Sequence, residues 1–137
     1  MSNNELLLKK VLEWISFADD DLSLAQHGLI LKKPPCRLIA FHAQQCAEKY
    51  LKSFLVFKNV DFPHTHNISM LLELCSKYNA WNVELQDAKR LTAFAISSRY
   101  PGEDAEVNRD EAVRAIFIAT NVRNVVRETF VNKGINF

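Results

Sequence analysis

Apolar residues recur at helical spacing along most of the chain. Leu8, Val11, Ile15, Ala18, Leu22, Ala25 and Leu29 alternate at steps of three and four, with Leu7 and Trp14 widening the stripe. This predicts a first helix from about Asn4 to Ile30 that packs lengthwise on another long helix. Lys32-Lys33-Pro34-Pro35 stops it, and the proline pair opens a second helix, where a missing N–H costs nothing. Ile39, Ala43, Cys46, Ala47, Tyr50 and Phe54 form the apolar face of that helix, and Gln45, Glu48, Lys49 and Lys52 its polar face. A third helix is expected from Asn67 to about Tyr78, with Met70, Leu71, Leu74 and Cys75 inward. A fourth is expected from about Asn82 to Arg99, with Leu85, Ala88, Leu91, Phe94 and Ala95 inward, broken by Pro101-Gly102. The last helix starts at Asn108, where Glu111 three residues on completes a capping box. Its core stripe is Ala112, Ile116, Ala119, Val122, Val126 and Phe130, and Gly134 suits the C-terminal cap.

Five helical segments and no alternating run predict an all-α fold, a five-helix antiparallel up-and-down bundle. With only three Gly and four Pro in 137 residues, the chain lacks the turn residues a sheet protein of this size would use. One domain over 1–137, with its core at about 5–132, accommodates the pattern. A net charge of +1 gives no bulk drive toward nucleic acid or an anionic membrane, and contact with nucleic acid is left open. Neither a secretory leader nor a membrane span is expected. Cys36, Cys46 and Cys75 match no zinc or redox spacing and are expected as free thiols in a reducing cytoplasm.

Candidate chemistry is sparse. His64-Thr65-His66, with Asp61 nearby, invites a metal reading, but no further ligand is in view and no metal or cofactor is expected. Asp19-Asp20-Asp21 does not converge on one ion, because consecutive helical residues diverge by about 100°, so a solvated face is expected, with one of the three free to pair with a neighbouring helix. Arg123 and Arg127 share a face of the last helix and repel unless an anion lies opposite.

The second helix reads Phe41-His42-Ala43-Gln44-Gln45-Cys46-Ala47-Glu48-Lys49-Tyr50-Leu51-Lys52. This resembles the signature of the HEPN family, in which an Ala/Gln-rich stretch leads into Glu-Lys-x-Leu-Lys. His66-Asn67-Ile68, Ser98-Arg99-Tyr100-Pro101 and Glu111-Ala112 resemble the family's later elements in the same order. The resemblance spans about residues 8 to 130. It implies a bundle similar to the substrate-binding helical domains of nucleotidyltransferases, and a homodimer. It also implies a protein partner, since many members accompany a minimal nucleotidyltransferase and some act as RNase toxins in toxin–antitoxin pairs. His42, Gln45 and Glu48 belong to the signature itself.

RNase members carry Arg-x(4–6)-His. Arg99 stands at the arginine position, but the positions where histidine is required hold Asp104, Ala105 and Glu106, and no histidine follows Arg99. The literal Arg37-x(4)-His42 lies in the wrong helix, and its side chains diverge by about 140°. The leading expectation is therefore a partner or binding protein, leaning away from an enzyme. The alternative is a nucleotide- or RNA-binding module in which Arg99, Lys49, Lys52 and His66 meet phosphate and Tyr100 stacks on a base. A metal-independent RNase toxin is the third reading.

Overall fold

A computed structural model describes residues 2–79, 81, 83–95 and 106–137. All regular structure among them is helical: α1 (Asn3–Gly28), α2 (Cys36–Phe57), α3 (Ile68–Ser76), a 3-10 segment (Gln86–Phe94) and α4 (Arg109–Asn132). The all-α expectation is met, and its five helical segments appear in the expected order.

The ends of the helices follow from local chemistry. The Ser2 hydroxyl accepts from the Glu5 N–H to open α1. At α4 the Asn108 side chain accepts from the Glu111 N–H, and the Glu111 carboxylate accepts from the Asn108 N–H, so the capping box is complete. Gly134, at φ +84°, ends α4. Its N–H donates to the Val131 carbonyl, and the Ile135 N–H reaches back to Phe130. Asn59, at φ +55°, ends α2 with the same pair of bonds, to Val56 and from Val60 to Leu55. Asparagine tolerates this left-handed geometry better than other residues with a side chain.

Helix α2 is central and packs against α1, α4, α3 and the 3-10 segment. Helix α1 runs antiparallel to it, with Gly28 beside Ile39 at one end and Trp14 beside Lys52 at the other. Helix α4 runs antiparallel to α1 and in the same direction as α2: Ala112 packs near Ile39, and Phe130 near Phe54. Val11, Ile15, Ala18 and Leu22 from α1 meet Ala43, Ala47, Tyr50, Leu51 and Phe54 from α2, and Ala119, Val122, Val126 and Phe130 from α4.

Three expectations change. Leu8 and Met70 are exposed, not inward. The supposed polar face of α2 is not solvated at Glu48 and Lys52, which are buried under α1 and the loop before α3. The fourth segment is a 3-10 helix over Gln86–Phe94 within the longer span expected. Residues 96–105, including Pro101-Gly102, lie outside the described residues.

Candidate functional site

The polar residues of α2 gather around two carboxylates. Glu48, only 3% exposed, faces the loop that leads into α3. Its Oε1 accepts from the Gln44 amide at 3.0 Å, the Gln45 amide at 3.5 Å and His66 Nδ1 at 2.7 Å. Its Oε2 accepts from Lys52 Nζ at 2.9 Å. Gln45 also donates to the Gln44 carbonyl oxygen at 2.8 Å, and Gln44 donates to the His66 backbone carbonyl at 3.3 Å. Because a carboxylate can only accept, His66 Nδ1 carries the hydrogen. The Lys52 ammonium also lies 5.7 Å from the ring centre of Trp14 and 5.8 Å from that of Phe62, which meet edge to face.

The second carboxylate is Asp21 of α1. It accepts from His42 Nδ1 at 2.8 Å and Lys49 Nζ at 2.5 Å, both on α2. Each carboxylate thus bridges one lysine and one imidazole. A third polar cluster lies on the α4 side. Asp19 accepts from the Tyr50 hydroxyl, from Arg123 Nε at 3.1 Å and from Arg127 at 3.4 Å. Burial, followed by the bond to Asp19, pushes the Tyr50 phenol pKa above its ordinary range.

This geometry corrects the reading of Asp19-Asp20-Asp21 as a solvated face. The outer two project to either side of the buried Ala18–Leu22 stripe and tie α1 to different cations, while Asp20 is exposed. Asp19 is the anion that lets Arg123 and Arg127 share a face. His66 meets Glu48 of α2. The loop entering α3 is held by other groups: Asn67 caps α3, and Thr65 Oγ1 accepts from the Asn67 N–H.

Of the candidate residues, the structure brings together Gln45, Glu48, Lys52 and His66, with His42 and Lys49 in the cluster centred on Asp21. Both candidate lysines are already paired. Arg99 and Tyr100 lie outside the described residues. Asp21, Gln44 and the aromatic pair Trp14–Phe62 were not singled out as site residues from the sequence. The signal available for Asp21 was its place beside the apolar stripe of α1. No three metal-ligating side chains converge among the described residues, so His64 and His66 form no such centre with Asp61. Cys46 and Cys75 are buried free thiols and Cys36 is half-buried. Burial pushes the Cys75 thiol up to about 12 and also raises Cys46.

The architecture is thus a helical bundle whose central helix carries Glu-Lys-x-Leu-Lys, with the glutamate bonded to a histidine from the next loop. The family model of the HEPN domain matches residues 11–129. The chain belongs to the HEPN family. Among solved structures it is similar to the crystal structure of ST0689, an archaeal HEPN homologue, at 30% identity and a TM-score of 0.70, covering 87% of this chain and 96% of that one. No curated protein matches the chain. No helix among the described residues is long and apolar enough to cross a membrane.

Proposed function

We propose that this chain is a HEPN-type binding protein that assembles with a second copy of itself and with a nucleotidyltransferase-type protein, as one domain in the cytoplasm, and that it is not a ribonuclease. The observation that carries the reading is the outer face of α4. Phe117 there is 70% exposed and Val113 is also exposed. With Ile116, Thr120, Asn121 and Asn124 they line a shallow trough of about 440 Å³. An apolar patch rimmed by neutral amides suits a protein partner better than bulk water. An RNase of the Arg-x(4–6)-His type would need a histidine after Arg99 to move the proton from the ribose hydroxyl, and the sequence has none.

Light scattering of the purified protein, together with co-expression with a minimal nucleotidyltransferase-type protein, tests the proposal. The expected results are a dimer and a co-purifying complex, with Phe117→Arg disrupting at least one of them while leaving the melting temperature within a few degrees. A monomer with no co-purifying protein, or assemblies indifferent to Phe117→Arg, would sink it.

A further inference from the structure

Tight turns are usually built from Gly, Asn, Asp, Ser and Pro. The turn joining α1 to α2 reads Leu29-Ile30-Leu31-Lys32-Lys33-Pro34-Pro35. Leu29 and Cys36 turn inward and pack on Ala25, Ile39 and Ala112. Ile30 points the other way and is 80% exposed, with Leu31 at 57% and Leu24 and Leu38 also exposed on the flanking helices. A single exposed leucine is ordinary. Two adjacent aliphatic residues at the apex of a helical hairpin leave apolar area in water that the fold does not use. The apex is also firmly held. Gly28 and Ile39 bring the two helices together at its base, and the proline pair restricts the backbone that enters α2.

Charge around this apex has one sign. No Asp or Glu stands between Asp21 and Glu48, whereas His27, Lys32, Lys33, Arg37 and His42 all do. The net charge of the whole chain is only +1, so the excess is local. Lys32, Lys33 and Arg37 are exposed, and none pairs with a carboxylate among the described residues. Asp110 and Glu111 of α4 stand at the same end of the bundle with Arg109, but beside Ala112, which packs near Ile39 about one helical turn in from the start of α2. Glu111 is engaged there in its capping box.

This combination narrows what the apex fits. Protein interfaces are depleted in lysine and anchored by aromatic residues and arginine. Single-stranded nucleic acid stacks its bases on aromatic side chains, and no Phe, Tyr or Trp lies between Phe17 and Phe41. The headgroup layer of an anionic bilayer takes both parts at once, since aliphatic tips enter the acyl boundary while lysines reach the lipid phosphates.

We propose that the Ile30–Leu31 apex docks on an anionic lipid surface, with those two side chains inserted and Lys32, Lys33 and Arg37 on the headgroup phosphates. Two aliphatic tips and three cations make this attachment reversible. Docking by the end of the bundle leaves the side of α4 that carries Phe117 free, so failure of the protein assemblies leaves this proposal standing.

Flotation of the full chain with vesicles tests it. The protein should float with mixed phosphatidylglycerol and phosphatidylcholine, stay behind with phosphatidylcholine alone, and be released as salt is raised. Ile30→Ser combined with Leu31→Ser should keep the melting temperature, since both side chains are exposed, and weaken binding by about tenfold or more. Lys32→Gln and Lys33→Gln should each weaken it by about fivefold. Leu31→Trp reads insertion directly: relative to the unsubstituted chain, its emission should move to the blue on the anionic vesicles and stay in place on phosphatidylcholine. No flotation on anionic vesicles, equal flotation on neutral ones, unchanged binding in the Ile30–Leu31 double variant, or a Leu31→Trp emission that does not move would each overturn the proposal. Binding of single-stranded RNA through Lys32 and Lys33 without vesicle binding would overturn it in favour of nucleic acid. Should the double variant fail to fold, the Leu31→Trp signal decides.

Discussion

The polar groups inside this bundle are costly singly and tolerable only as sets. Glu48 accepts four hydrogen bonds because each donor around it, Gln44, Gln45, Lys52 and His66, would otherwise lose a partner. Glu48→Ala removes the shared acceptor and strands a buried ammonium, and should cost about 3–5 kcal/mol in urea unfolding, the range for breaking one partner of a buried pair. The buried thiols give a pH signature. Cys75 is raised by burial from 9.0 to about 12, and Cys46 is raised as well. The folded state therefore retains these protons where the unfolded chain releases them. Their stabilising effect is complete below about pH 9 and is lost as pH rises toward the folded values. Unfolding at about pH 10 should show a loss on the order of 1 kcal/mol per buried thiol relative to neutral pH. Cys46→Ala and Cys75→Ala should each flatten that slope, and a wild-type slope that survives in the double variant would assign it to other groups.

At the scale of the element, what was legible in the sequence is what is decided locally. Caps depend on three or four consecutive residues, so Asn108 with Glu111 and Gly134 could be read directly. Asn108→Ala should lower stability by about 1 kcal/mol, measured as a fall in the urea midpoint at unchanged slope. The 3-10 character of the fourth segment was not legible: Leu85, Ala88 and Leu91 are buried at steps of three, the period of a 3-10 helix, but Trp81 and Ala95 flank them at steps of four, as in an α-helical stripe. The pairings of the α2 polar face were hidden for a different reason. Whether Glu48 and Lys52 meet water or a neighbour depends on where Trp14, Phe62 and His66 arrive, and those contacts join residues 10 to 38 positions apart in sequence. Close approach is equally non-local. A Cβ on Gly28 would stand 2.7 Å from Ile39 Cγ1, so α1 and α2 meet there through the missing side chain. Gly28→Val should cost about 1–3 kcal/mol as overpacking, seen as a lower melting temperature.

For the whole molecule, the question is what fixes three long helices in one arrangement when much of their shared core is alanine and leucine, which pack in more than one register. Helices α1 and α4 touch each other little compared with the contact each makes with α2. Asp19 is a point where a polar tie crosses all three: its carboxylate takes the Tyr50 hydroxyl from α2 and both Arg123 and Arg127 from α4. Arg127 in turn stacks on Phe137, 4.1 Å from its ring centre, which draws the C-terminal residues onto the same junction. Removing Asp19 leaves two like charges one turn apart with nothing opposite and an enclosed phenol without its acceptor. Asp20, next in sequence, is exposed and offers the matched control. Asp19→Ala should therefore destabilise the fold by about 2–3 kcal/mol, within the range for a charge network that is partly buried, whereas Asp20→Ala should stay within about 0.5 kcal/mol of the wild type. Tyr50→Phe divides the loss, since it keeps the ion pairs and removes only the hydroxyl. Equal unfolding free energies for Asp19→Ala and Asp20→Ala would mean that apolar packing alone sets how α4 lies against α1.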